Sequence, residues 1–231
     1  MLDFETTGLS PGMGDRPTEL AVLLIRNGEV VHRMVSLMNP GRAIPLDVQH
    51  LTGITNAMVA NAPSIASVLE RALNVIGDHP IVAHNAAFDS RFWRSELALL
   101  PGAPASRFAC TMLLARRLYP DAPNHRLGTL VALHGLPAGR AHRAMADTEM
   151  TYHLWRRMDQ DVRTRFGGHA LDFELMFALQ KIKRQDLCAA VTKHFAAKKP
   201  GRRKTPVRRT TSVQRTFILG ESSADGRQLC L

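Results

Sequence analysis

The sequence contains little cysteine and no long apolar run. Its three cysteines, Cys110, Cys188 and Cys230, lie far apart and form no Cys-x-x-Cys pair, which argues against a disulfide framework and against a thiolate zinc site. No stretch approaches the roughly 18 consecutive apolar residues of a membrane-spanning helix. The first residues also lack the basic region of a secretory signal. This composition predicts a soluble protein of a reducing cytoplasm.

Acidic residues are scarce only at the end of the chain. The whole chain has 30 Lys and Arg against 20 Asp and Glu, a formal charge of +10. Residues 198–231 hold 9 of those basic residues and 2 of the acidic ones, so residues 1–197 carry 21 against 18, or only +3. We therefore predict that residues 198–231 form a disordered basic tail that attracts a polyanionic partner.

The order of hydrophobic segments predicts an α/β fold. Strands come first, and two of them are joined across Asn27-Gly28, a strong hairpin signal. The short apolar run PIVAHN at 80–85 is typical of a buried strand, and strands and helices alternate after it. This order favours a mixed sheet flanked by helices. We expect one domain over residues 1–163 and a helical extension over 164–197.

The segment DFETTG at 3–8 places two acids on one short strand. Because successive strand side chains point to opposite faces, Asp3 and Glu5 share one face while Leu2 and Phe4 point into the core. Two carboxylates so close together push each other toward protonation. A divalent cation between them would remove that cost.

The segment HNAAFD at 84–89 follows the predicted buried strand. His84 and Asn85 fall at the carboxyl end of that strand, where ligands gather in open α/β sheets. Asp89 falls in the first turn of the next helix. An acid at a helix N-terminus also stabilises the helix without any ligand, so capping is the alternative role for Asp89.

The segment HRAMAD at 142–147 opens a further predicted helix. Asp147 shares a helical face with apolar positions, so its carboxylate points inward and needs either a metal ion or an arginine beside it. His142 can reach the same place only if it precedes the helix. An imidazole beside such acids is suited to accept a proton from water, although an ordinary surface histidine is the alternative.

Together, DFETTG, HNAAFD and HRAMAD resemble the motifs of the DEDD exonuclease superfamily, which is ribonuclease H-like in fold. Because the third motif carries a histidine, the sequence resembles the DEDDh subclass in particular. This subclass includes the epsilon proofreading subunits of bacterial DNA polymerase III. The segments NPGRAIPLDVQHLTGIT and NHRLGTL also resemble that family. The resemblance covers residues 1 to about 160.

This resemblance implies a 3′–5′ exonuclease that removes nucleotides from single-stranded or mismatched DNA 3′ ends, in replication proofreading or repair. It makes His142 the general base and implies two divalent cations, Mg²⁺ or Mn²⁺. The implied metal ligands are Asp3, Glu5, Asp89 and Asp147. The implied substrate contacts are Thr6, Thr7, Gly8, Leu9, Gly53, His84 and Asn85.

Other readings stay open at this point. The substrate could be RNA, because no motif here shows how a 2′-hydroxyl is treated. A non-catalytic nucleic-acid-binding accessory protein that uses its basic tail is a further alternative. The resemblance also suggests a polymerase or sliding clamp as partner and a bacterial, nucleoid-associated location. The segment SVQRTFIL at 212–219 resembles short peptides that dock onto sliding clamps, although an ordinary apolar cluster in a disordered tail is the alternative. Family members carry several residues ahead of the first acid, so we expect either an upstream start or a shortened first strand.

Overall fold

Five strands form the centre of the computed structural model, which describes residues 1–139 and 141–198. Strands β1, β2 and β3 form an antiparallel sheet in that order, and β4 pairs with β5 in parallel. The strands are β1 (Leu2–Thr6), β2 (Pro17–Arg26), β3 (Glu29–Leu37), β4 (Ile81–Ala83) and β5 (Phe108–Cys110).

Nine α-helices occur in the described part of the chain, together with two short 3₁₀ turns. Ser64 caps the third of them by accepting a hydrogen bond from the Ser67 N–H at 3.2 Å. The helices are α1 (Leu46–Thr52), α2 (Asn56–Val59), α3 (Ile65–Ile76), α4 (Ala87–Leu97), α5 (Thr111–Leu118), α6 (Leu127–Leu133), α7 (Ala144–Arg165), α8 (Phe173–Leu179) and α9 (Leu187–Lys198).

The β2–β3 hairpin turns at Asn27 and Gly28. Both residues have positive φ, 52° and 85°, which a two-residue turn of the primed type requires. Arg26 pairs with Glu29 directly across the turn. The predicted hairpin is therefore confirmed.

The two sides of β1 face different surroundings. Leu2 and Phe4 are almost fully buried in a core that contains Trp93 of α4, and Phe4 lies 6.3 Å from Trp93 between ring centroids. The acids Asp3 and Glu5 point to the opposite side, where α7 contacts β1 and β2. Strand β4 lies next to β1, so the antiparallel sheet and the parallel pair are neighbours, but the described strands pair as two sheets and not as the single mixed sheet predicted.

The last two helices pack on a second apolar core. Leu175 and Val191 are buried there against Leu114 of α5 and Leu154 of α7. The predicted tail at 199–231 lies outside the described residues. In the part of the chain that the structure describes, no helix is both long and apolar enough to cross a bilayer.

Candidate active site

Three carboxylates meet between β1 and α7. Asp3 and Glu5 project from alternate positions of β1, and Asp147 projects from the first turn of α7. One oxygen of each acid lies within 4.8 Å of an oxygen of the other two. All three side chains are half-buried, so water screens their mutual repulsion only in part.

These three acids are shifted toward their protonated forms. Burial, followed by the charges of Asp147 and Glu19, raises the pKa of Glu5 to about 8. Burial, followed by the charge of Asp89, raises the pKa of Asp3 well above its usual value. The pKa of Asp147 is also raised, mainly by burial. A site of this kind stabilises either protons or a cation.

Asp89 approaches the same site from α4. It is 1% exposed and accepts a hydrogen bond from the Phe4 N–H at 3.2 Å. Burial raises the pKa of Asp89 to about 7, although the Phe4 hydrogen bond opposes the shift. Asp89 lies outside the three-acid cluster, but its charge contributes to the raised pKa values of both Asp3 and Glu5.

His142 is exposed in the loop that precedes α7. Its φ of 64° is left-handed, and its backbone N–H donates to Oδ2 of Asp147 at 3.0 Å. The helix begins at Ala144, so the condition that allows both residues to reach one site is met. The loop presents an imidazole to solvent beside the acidic cluster.

Glu19 and Arg143 are part of this site, although the sequence did not single them out. Glu19 lies directly opposite Glu5 in the β1–β2 pairing and is 2% exposed. Arg143 donates to it from Nε at 3.1 Å and from the terminal NH2 group at 2.7 Å. The available signal was an acid within the otherwise apolar strand PTELAVLLIR.

The loop after β1 places the next four predicted contacts. Thr6 and Thr7 are buried, and the Thr7 hydroxyl accepts from the Arg16 N–H at 3.0 Å. A Cβ at Gly8 would lie 2.4 Å from a carboxylate oxygen of Asp15, so only glycine fits there without a shift. Leu9 is 78% exposed, so its apolar side chain is available to a ligand.

His84 is committed to contacts within the protein. Its Nδ1 lies 2.9 Å from Oγ1 of Thr111 and its Nε2 lies 3.0 Å from the carbonyl oxygen of His125. Burial lowers the pKa of His84 to about 4, which keeps the ring neutral. Asn85 is exposed with a φ of 61°, and Gly53 ends α1 with a φ of 72°.

The four acids and the histidine fall within the part of the chain that matches a known family. A family model described as "Exonuclease" matches residues 1–155. The chain belongs to this exonuclease family. The PolC-type DNA polymerase III of Oceanobacillus iheyensis is 39% identical over 171 residues, which are 73% of this chain and 12% of that protein. The exonuclease chain thus spans about an eighth of the length of that polymerase.

Three further proteins are matched over a larger share of their own length. A putative bifunctional exonuclease/endonuclease of Mycobacterium tuberculosis is 34% identical over 85% of this chain and 30% of that protein. Exonuclease X in complex with 5′-overhanging duplex DNA is 31% identical, with a TM-score of 0.58 over 78% of this chain and 97% of that one. The nuclease domain of 3′hExo, a DEDDh member bound to rAMP, is 20% identical, with a TM-score of 0.60 over 69% and 90%.

These likenesses confirm the predicted family and fold. The chain is a DEDD-superfamily exonuclease with a ribonuclease H-like α/β fold. Zinc, a divalent ion, is bound in one form of a structural neighbour, Exonuclease I of Escherichia coli. The acidic cluster fits such ions, because its donors are hard carboxylate oxygens that repel one another.

Proposed function

We propose that this exonuclease removes nucleotides from single-stranded or mismatched 3′ ends of DNA, with two divalent cations and His142 as general base. The observation that carries the proposal is the meeting of Asp3, Glu5 and Asp147 beside Asp89 and the His142 loop. The choice of DNA is supported by Exonuclease X, a relative at 31% identity that binds DNA.

Asp3, Glu5, Asp89 and Asp147 would hold the cations. Mg²⁺ and Mn²⁺ suit a set of carboxylate oxygens, and the two cysteines of the described chain, Cys110 and Cys188, lie outside the acidic cluster. When bound, such cations polarise the scissile phosphate and the attacking water and stabilise the leaving oxygen. One structural neighbour, Exonuclease I of Escherichia coli, has a zinc-bound form, so Zn²⁺ belongs among the ions to be tested.

His142 would take the proton from the attacking water. Its imidazole is exposed, and its backbone is tied to Asp147, so the base and one proposed ligand keep a fixed relation. Imidazole exchanges protons readily near neutral pH. General-base catalysis of this kind contributes about 10²–10⁴-fold in rate.

The loop after β1 would receive the terminal nucleotide. Leu9 offers an exposed apolar surface to a base, and Thr7 with Gly8 holds the loop against Asp15 and Arg16. Asn85 is exposed at the end of β4 and can reach solvent on that side. The His84 ring would act indirectly, by fixing the end of β4 through Thr111.

RNA is the second candidate substrate. The neighbour 3′hExo is bound to rAMP, and a related structure recognises a histone mRNA stem-loop. Both are about one-fifth identical to this chain, so their likeness supports the fold and not the choice of substrate. The preference depends on contacts to the 2′-hydroxyl, which a direct comparison of matched substrates would measure.

The test uses 5′-labelled oligonucleotides of one sequence: single-stranded DNA, single-stranded RNA, and duplex DNA with a paired or mismatched 3′ end. We expect products that shorten from the 3′ end with Mg²⁺ or Mn²⁺, faster on DNA and on the mismatched end, and none with EDTA. Asp147→Ala should abolish cleavage. Glu149→Gln is the matched control, because Glu149 lies on the same helix and forms an exposed ion pair with Arg33. Cleavage by purified Asp147→Ala at the wild-type rate would contradict the proposal.

A polymerase or sliding clamp is the proposed partner. The support is the likeness to PolC-type polymerases. The SVQRTFIL segment lies outside the described residues, so its role is tested by comparing the full chain with a chain ending at residue 198. If the basic tail contacts phosphates, its removal should weaken DNA binding and reduce the dependence of binding on salt.

A further inference from the structure

A fifth acid lies on the face of the sheet that carries the active site. Glu19 of β2 is the direct partner of Glu5 on β1, and partners in an antiparallel pair project to the same face. Like charges directly opposite each other destabilise a sheet. Glu19 is nevertheless buried to 2% exposure, so its charge must be compensated within the protein.

Three hydrogen bonds compensate Glu19. Arg143 donates two, at 3.1 and 2.7 Å, and the backbone N–H of Ala144 donates the third, at 3.0 Å. Glu5 differs, because among the described residues no protein donor is found on its carboxylate. The two opposite acids therefore have different tasks: Glu5 is open to a cation, whereas Glu19 is engaged by Arg143.

The partners of Glu19 lie between the proposed base and the first turn of α7. Arg143 directly follows His142, and Ala144 is the first residue of α7. Residue 143 is the N-cap of that helix, but its side chain makes no capping hydrogen bond. Glu19 supplies the acceptor from β2 instead, so a neighbouring strand holds the first turn of the helix in place.

We propose that Glu19 is a positioning residue of the exonuclease: with Arg143 it fixes the start of α7, and thereby places His142 and Asp147 against Asp3 and Glu5. This inference rests on the proposed function for its catalytic consequence. Arg143 also lies close enough to Glu5 for the two charges to interact.

The principal test compares Glu19→Gln and Arg143→Lys with the wild-type chain. Lysine keeps the charge of Arg143 but cannot make its two-pronged contact. We expect either change to lower kcat by about 10–100-fold, with little change in KM, and to weaken Mn²⁺ binding measured by calorimetry. The double variant should lose no more than the worse single variant, because the two side chains act as one unit.

Amide hydrogen exchange of the metal-free protein gives a readout that does not depend on cleavage. In Glu19→Gln the amides of residues 143–147 should exchange faster than in the wild type. Glu96→Gln is the matched control. Glu96 is 4% exposed and forms a similar two-pronged pair with Arg16, at 2.7 and 3.0 Å, and neither residue belongs to α7. That variant should leave the protection of residues 143–147 unchanged.

Wild-type kcat together with wild-type protection in both Glu19→Gln and Arg143→Lys would overturn the inference. This outcome leaves the proposed function standing if Asp147→Ala is inactive. If the wild-type chain cleaves neither DNA nor RNA, the proposed function fails instead. The exchange and Mn²⁺ measurements would then still decide whether Glu19 positions the start of α7.

Discussion

The two ends of helix α7 hold acidic side chains in opposite ways. At its start, Asp147 meets Asp3 and Glu5, and none of the three forms an ion pair with another described residue. Toward its end, Asp159 pairs with Arg163 at 2.8 Å and Asp161 pairs with Arg157 at 3.0 Å. One helix thus carries both unneutralised and neutralised carboxylates.

This contrast separates acids that stabilise the fold from acids kept for a ligand. Asp161 also accepts from the Tyr119 hydroxyl at 2.8 Å, and Asp159 accepts from the Leu171 N–H at 2.6 Å, so both tie α7 to neighbouring segments. The cluster at the other end lacks such cationic partners and carries raised pKa values. Its counter-charge must come from solution.

Neutralising one acid of the cluster and one ion-paired acid of α7 should therefore have opposite effects on cleavage and on stability. Asp3→Asn should lower cleavage by orders of magnitude, because it removes a proposed metal ligand. In EDTA at pH 8 the same variant should be more stable than the wild type, because a repelling charge is gone. Denaturant unfolding beside a nuclease assay measures both effects.

Asp161→Asn is the counterpart for that comparison. It should keep wild-type cleavage and lose about 1–3 kcal/mol of stability, because it weakens hydrogen bonds to a charged group. A metal-free Asp3→Asn protein less stable than the wild type would show that Asp3 supports the fold in the same way as Asp161.

His142→Ala should retain the metal site and lose most of the rate. We expect kcat to fall by about 10²–10⁴-fold, because the proposed base is gone while the carboxylates remain. Calorimetric Mn²⁺ binding should stay near the wild-type affinity. Loss of Mn²⁺ binding in this variant would mean that the histidine acts on the cation site instead.

The stability of the metal-free protein should fall as the pH rises from about 4.5 to about 8. In this window Glu5, with a pKa of about 8, and Asp89, with a pKa of about 7, hold protons when folded and release them when unfolded. Each such group contributes a slope of up to about 1.4 kcal/mol per pH unit. Thermal melts in EDTA across this range measure it, and Glu5→Gln should flatten the dependence.

Added Mg²⁺ should reverse that loss at pH 8, because ligands that bind only the folded state stabilise it. The matching control is Asp161→Asn, which should show the same pH dependence as the wild type. Stability in EDTA that rises with pH would contradict the raised pKa values at the site.

The local parts of this site could be predicted from the sequence. Alternation along β1 correctly places Leu2 and Phe4 in the core and the two acids opposite them. The need for a loop between His142 and the helix follows from helical geometry, and α7 does begin at Ala144. Such features lie within a few residues of one another, so the two-residue period of a strand and the 3.6-residue period of a helix are enough to predict them.

The features that escaped prediction depend on contacts between distant segments. Glu19 meets Arg143 across 124 residues, and only the register of β1 on β2 reveals it as the partner of Glu5. His84 stays a predicted substrate contact, and the contacts of its ring with Thr111 and the carbonyl oxygen of His125 also join distant segments. The sequence around each residue does not identify its partner, because tertiary packing determines both contacts.

The backbone amide of His142 donates directly to the Asp147 carboxylate. The resonance frequency of an amide proton depends on the charge of its acceptor, so this one N–H should report when Asp147 takes up a proton or a metal ion. In a protein labelled with ¹⁵N-histidine, the chain's ten histidines give separate backbone signals, and the signal of His142 would follow the state of the site in a nuclear magnetic resonance titration without any nucleic acid present.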